Sequence, residues 1–331
     1  MRAGEGAGHA GRHAGPGHQA ARRRRPLPPL PAGEGVRDRD ALEASEQGIR
    51  AVKLSFAVLA LTAVLQLAVA LVSGSAALLA DTAHNFGDAL TALPLWLAFA
   101  LSRRPPSRTH TYGYGRAEDL AGAAIVGIIL LSALVCGYES ATKLLEGSGV
   151  RGAGWVALAA AAGFAGNELA ARLRISVGRR IGSAALVADG QHARTDGLTS
   201  LAVLAGAAGA WLGYPVVDPL VGLGITAAIL HIVRDSARPV WRRLMDAVEP
   251  GTVEALEEAA SGMPEVLRVE EVRARWTGHS LQAEVRVRVE PDLPAGRLGD
   301  LSGRLAAAAR KRLPRLERVL LEPVPDRPGD V

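Results

Sequence analysis

The chain has 331 residues, 49% of them hydrophobic and only 4% aromatic, and a formal net charge of +5. A basic balance can signal nucleic acid, but no basic stretch here is interleaved with aromatics, and four phenylalanines leave few platforms for stacking bases, so no nucleic-acid partner is expected. The single cysteine, Cys136, lies in an apolar stretch; it excludes an internal disulfide and reads as a small packing hydrophobe.

Residues 1–45 are dominated by Gly, Ala, Pro and Arg and show no apolar period, which predicts a disordered N-terminal tail. The tail lacks the apolar core of a signal peptide. His9, His13 and His18 have no fixed geometry around them and offer at most weak metal binding.

Between about 51 and 233 the apolar residues gather in blocks near the length of ~20 residues that crosses a bilayer. The run Leu54–Val72 holds Gln66 as its only strongly polar member. Six spans are expected, near 51–73, 76–101, 117–138, 153–173, 184–212 and 215–235, within a membrane domain covering 46–243. Their Ala and Gly content suits close helix approach. The connections alternate. One set is basic, with Arg22 to Arg25, then Arg103, Arg104, Arg108 and Arg116, then Arg172, Arg174, Arg179 and Arg180, then Arg234, Arg238, Arg242 and Arg243. The other set is short and nearly free of basic charge. The positive-inside bias then puts both termini in the cytoplasm of a multi-pass cell-membrane protein.

The sequence from 244 to 325 reads as a soluble domain, followed by a short tail at 326–331. EPGTVEALEEAASGM predicts an amphipathic helix. VLRVEEVRARWTG and SLQAEVRVRVEP alternate as half-buried strands do, with Gly278 at the turn. A second helix, RLGDLSGRLAAAARKRL, and a last strand, RVLLEPV, follow, with a short strand possible at the start. The expectation is a small α+β sandwich with its helices on one sheet face.

Two apolar segments each carry a histidine followed four residues later by an aspartate: His84 and Asp88, then His192 and Asp196. Ionisable groups inside membrane-length segments are costly unless paired, and they default to a functional reading. The spacing puts each pair on one helix face. Two such faces turned together offer two imidazoles and two carboxylates, enough to close a tetrahedron around a zinc-like ion. Two aspartates cancel the double charge, and four protein ligands leave no open position for an activated water. Protons compete for the same groups, so metal affinity falls with pH. The arrangement suits holding and releasing a cation in exchange for protons rather than hydrolysis.

Asp81 and Asp189 each precede a pair by three residues; they are candidates to orient the imidazoles or to shape a water-filled access path. Asn85 and Asn167 suit helix-to-helix hydrogen bonding.

The pieces ADTAHNFGDALTALPLW, HTYGYGRAEDLAG, GSAALVADGQHARTDGLTSLAVLAG and RVEEVRARWTGHSLQAEVRVRVEP, in that order over about 50–325, resemble the cation diffusion facilitator family of zinc exporters. The resemblance implies a homodimer in membrane lipid, a ferredoxin-like cytoplasmic domain and metal-for-proton antiport by alternating access. Zinc, with cadmium tolerated, is then a transported substrate and no cofactor is implied. The family's transport site falls on His84, Asp88, His192 and Asp196. A further site found in some members is matched here only by His110, because Ser107 and Tyr114 stand at the other positions. Arg286 and Glu322 replace the histidines of the family's regulatory cluster, and His279, the domain's only histidine, reads as a solvated turn residue. Two alternatives remain: the same fold moving mainly manganese, cobalt, nickel or iron, and, more remotely, an intramembrane metalloenzyme, which lacks a His-Glu-x-x-His sequence and an open metal position.

Overall fold

The computed structural model describes residues 32–73, 92–146, 153–214 and 216–325. Its helical part comprises α1 (Ala32–Ser73), α2 (Ala92–Ser102), α3 (Arg116–Glu146), α4 (Ala153–Ile181), α5 (Ala184–Trp211) and α6 (Val217–Leu244). α2 is the C-terminal part of the second expected segment; the rest of that segment lies outside the described residues, as do 1–31 and 326–331. α1 begins at Ala32, well before the expected end of the tail. No proline follows Pro31 until Pro94, and an i, i+4 pair, Arg50 to Glu46 at 3.7 Å, supports the early turns.

Among the described residues three helices, α1, α3 and α6, are long and apolar enough by themselves to cross a membrane. They present large apolar side chains outward, with Leu61 and Leu131 each 62% exposed. Such faces suit lipid, where a water-soluble protein would hide them. α4 and α5 are long enough to cross, at about 1.5 Å per residue. They are less apolar because they carry the charges: Arg174 on α4, and Asp189, His192 and Asp196 on α5.

Those charges sit inside the bundle. α5 packs on α2, α3, α4 and α6, and α1 closes over α4. The α4–α5 contact is the tightest kind. A Cβ at Gly190 on α5 would lie 2.9 Å from the Ile175 backbone nitrogen on α4 and 3.1 Å from the Ala171 carbonyl oxygen. Only glycine admits that approach.

The C-terminal domain follows the expected order: α7 (Thr252–Ser261), β1 (Val266–Thr277), β2 (Ser280–Val289), α8 (Ala295–Arg310) and β3 (Leu316–Pro325). No strand precedes α7; residues 245–251 form turns. The sheet order is β1-β2-β3, with β1 antiparallel and β3 parallel to β2, the α8 crossover making the parallel pairing possible. Leu281, Ala283, Val285, Val287 and Val289 on β2 are all buried, as the period-2 alternation requires. Leu256 on α7 and Leu301 and Leu305 on α8 cover them.

The two domains join at the β1–β2 turn. Gly278 has φ 62°, the left-handed conformation a two-residue hairpin demands. A Cβ there would stand 2.9 Å from both a Glu118 carboxylate oxygen and the Gly115 carbonyl. The Gly278 N–H donates to Asp119 Oδ2 at 3.2 Å, and its carbonyl accepts from Arg243 Nη1 at 2.8 Å. The same guanidinium lies 4.4 Å over the Trp276 ring.

His279 was expected to be solvated, and it is buried instead. The turn is not a free tip, because it is pressed against α1 and α3. Its Nδ1 faces Glu118 Oε2 at 2.9 Å and its Nε2 faces the Ala41 carbonyl at 3.0 Å. A carbonyl can only accept, so Nε2 carries a proton, and the carboxylate favours one on Nδ1 as well. Burial disfavours the charged ring, but the Glu118 hydrogen bond and charge outweigh it, with Ala41 O adding to them, and the His279 pKa is raised above 6.5. The protonated ring therefore stabilises docking fully below about pH 6.5. That contribution is lost as pH rises through the higher folded-state value. Thermal unfolding of the detergent-purified protein should show a midpoint that drops by several degrees across that rise. His279→Gln should flatten the drop; an unchanged slope in that variant would show that another group is responsible.

Candidate metal centre

Positions 189, 192 and 196 fall within about 60° of one another on an ideal helix, so Asp189, His192 and Asp196 form one stripe on α5. The His192 side chain is 1% exposed and that of Asp196 12%. His192 Nδ1 lies 3.6 Å from Asp196 Oδ1, a facing pair too long for a hydrogen bond. Nearby hydroxyls bond back onto the helix. Thr195 donates to the His192 carbonyl and Thr199 to that of Asp196, both at 2.7 Å, and Ser200 donates to Asp196 O at 3.1 Å.

The surrounding wall is small and polar where it meets this stripe. Gly163 on α4 sits against Gln66 and Ser200, and a Cβ there would be 3.0 Å from each. Gln66 is buried and donates to the Ala159 carbonyl at 3.1 Å. Asn167, also buried, faces Gly197, one residue beyond Asp196.

The other expected pair, His84 and Asp88, lies outside the described residues, together with Asp81 and Asn85. α2, which continues that segment, packs against α1, α3 and α5. Asp189 forms an ion pair across the helix interface, with its Oδ2 3.0 Å from Arg174 Nη1 on α4. His110 is exposed, 3.1 Å from Thr109 Oγ1, with its ring stacked 4.5 Å from that of Tyr114. Ser107 bonds the Tyr114 hydroxyl at 3.4 Å. In the C-terminal domain Arg286 bridges the sheet, 3.0 Å from Glu322 and 3.5 Å from Glu271. Among the described residues no group of three or more His, Cys, Asp or Glu side chains comes together around one point.

Two features escaped the sequence reading. Arg174 was counted among loop arginines, yet it is 1% exposed, the largest fully buried side chain among the described residues. A third pair with the same spacing, His231 and Asp235 on α6, closes to 3.4 Å but is 68% and 59% exposed. Spacing selects three pairs in the sequence, and of the two that are described the His192–Asp196 pair is enclosed while His231–Asp235 lies at the surface.

A profile described as the cation efflux transmembrane domain matches residues 52–245. The chain belongs to the cation efflux family, the cation diffusion facilitators. A "probable cation efflux system protein" of Mycobacterium tuberculosis is 50% identical over 290 residues, covering 88% of this chain and 87% of that one. The magnetosome protein MamB of Magnetospirillum gryphiswaldense is 30% identical over 73% of this chain and 81% of its own. The manganese efflux system protein MneP of Bacillus subtilis is 27% identical over 76% and 87%. This family member is a multi-pass membrane transporter of divalent metal cations and not an enzyme.

Replacing either α5 group, His192→Ala or Asp196→Ala, should weaken equilibrium metal binding by on the order of 100-fold or more, since even residues that only hydrogen-bond to a metal ligand cost 10–100-fold. The exposed analogue His231→Ala should leave binding unchanged. Equal losses from all three would remove the distinction drawn from burial.

Proposed function

We propose that the protein exports zinc, with cadmium tolerated, in exchange for protons by alternating access, using His84, Asp88, His192 and Asp196 as ligands. The observation that carries the reading is the facing His192–Asp196 pair, with His192 buried and Asp196 half-buried, on the helix at the centre of the bundle. A carboxylate beside a neutral imidazole suits a divalent cation, and protonation of the same two groups suits its release. The packing of α2 against α5 supports bringing the second and fifth segments together. The donor set of nitrogen and oxygen favours zinc over ions that prefer oxygen alone.

Protons provide the exchange. An imidazole must be neutral and a carboxylate ionised to bind metal, so each departing ion leaves groups ready to take protons back. The basic connections favour an orientation with the C-terminal domain in the cytoplasm of the cell membrane. The family's homodimer is adopted here as well, in keeping with the exposed apolar faces of α1 and α3. A second reading, manganese as the main substrate, rests on the likeness to the manganese efflux protein.

The test is transport by the purified protein in liposomes under a pH gradient. Zinc flux should be matched by opposite proton flux, read with a pH dye, and Asp196→Ala should reduce both by on the order of 100-fold. Zinc should outcompete manganese at equal concentration. Undiminished flux in Asp196→Ala would end the site assignment, and preferential block by manganese would move the substrate to the second reading.

A further inference from the structure

We propose that the cleft between the uncovered face of the C-terminal sheet and the α2–α3 connection binds the phosphate of an anionic phospholipid, with Arg275 and Arg318 as its cationic grips. The site is separate from His192 and Asp196 and does not depend on their role.

Helices cover one face of the sheet, where the row from Leu281 to Val289 is buried. The other face is open, and the register places its side chains. In the row nearest the β1–β2 turn, Arg275 of β1 and Arg318 of β3 flank Gln282 of β2. The next row holds Arg273, Glu284 and Leu320, and the one after it Glu271, Arg286 and Glu322. Charge is paired at the far end of this face. Arg286 lies 3.0 Å from Glu322 and 3.5 Å from Glu271, and Arg288 lies 2.8 Å from Glu270. The near end differs. Among the described residues no carboxylate stands within ion-pair distance of Arg275 or Arg318. Strands spaced about 4.8 Å apart put these two residues about 10 Å from each other across β2. Two arginine side chains can close that span on one phosphate, whose oxygens suit their planar forks. Gln282 presents an amide between them.

Tyr112 of the α2–α3 connection stands over this row. The Arg275 guanidinium carbon lies 4.6 Å from the centre of its ring, a contact that holds the side chain without cancelling its charge. The cleft measures about 530 Å³. Its charged lining is Arg273, Arg275 and Arg318 against Asp246 and Glu284. Arg273 and Asp246 have partners outside the cleft, Glu271 and Arg116. One positive charge is left over, which is what a phosphodiester cancels.

Position names the source of that phosphate. The connection bearing Tyr112 leaves α2 at Ser102 and enters α3 at Arg116, so it lies where two helices of the bundle end. Arg103 and Arg104 line a neighbouring cleft that shares Tyr112 and Gln282. Tyr112 is 62% exposed, an amphipathic ring of the kind that gathers at headgroup depth. Arginines at that depth attract anionic lipid.

The experiment titrates the detergent-purified full-length protein with phosphatidylglycerol and reads bound lipid by native mass spectrometry, with zwitterionic phosphatidylcholine in parallel. Phosphatidylglycerol should bind the parent more tightly. Arg275→Gln/Arg318→Gln should weaken its tightest binding by on the order of tenfold, the scale of a lost charge-assisted contact. Tyr112→Ala should weaken it too, while Tyr112→Phe, which keeps the ring, should not. Arg286→Gln, on the same face but in a paired row, should keep the parent's affinity. Unchanged binding in the double variant, or an equal loss in Arg286→Gln, would overturn the proposal. Displacement of phosphatidylglycerol by millimolar inorganic phosphate would assign the cleft to a soluble anion and overturn the lipid assignment. Should the double variant fail to fold, Arg318→Gln, at an exposed position, decides by the same comparison.

Discussion

Charge inside a lipid-facing bundle must be neutralised by partners, and that constraint orders this structure. α5 carries Asp189, His192 and Asp196 on one stripe, and it is the helix most enclosed by others. The lipid-exposed work falls to α1, α3 and α6, whose outer faces are leucine-rich. α4 takes the intermediate role. It is packed against α5 closely enough for backbone contact at Gly190, and it provides Arg174 as the partner of Asp189. A buried ion pair of this kind contributes little net stability by itself, but losing one member strands a charge, with a cost of roughly 3–5 kcal/mol. The pair therefore fixes which face α4 and α5 show each other more than it holds them together.

A second enclosed polar cluster lies at the junction with the C-terminal domain. Glu118 and Asp119 of α3 and Arg243 of α6 all reach the two residues of the β1–β2 turn. Arg315, just before β3, donates to the Arg179 carbonyl at 3.1 Å and to that of Arg180, so it caps the C-terminal end of α4. The C-terminal domain is thus fastened to α1, α3 and α6 by its hairpin and to the C-terminal end of α4 by Arg315. The attachments are made to different helices of the bundle.

Much of this was legible in the chain. Period and length gave the helices, and alternation gave β1, β2 and the buried row from Leu281 to Val289. The His-x-x-x-Asp spacing named His192 and Asp196, which the structure places on one face of α5 with His192 buried. What the sequence could not supply was environment. Arg174 belongs to a basic run and looks like its neighbours Arg172 and Arg179; only the packing of α1 and α5 over it makes it a core residue. His279 sits in a hairpin turn, where solvent is the ordinary surrounding, and its burial comes from another domain's helices. His231 and Asp235 repeat the motif spacing at the lipid- or solvent-facing side of α6, and no local signal sets them apart. The start of α1 was misjudged for a related reason, since composition dominated by the prolines before Pro31 masked the helix-forming run after it.

Donor chemistry and kinship bear differently on the question of which ion is moved. A protein named as a manganese efflux system shares 27% identity with this chain. In a scaffold of constant shape, selectivity must come from which oxygens and nitrogens are free to reach the ion. One carboxylate on the ligand stripe is taken up by a neighbouring guanidinium. That pairing balances a carboxylate that would otherwise stand alone in the bundle interior.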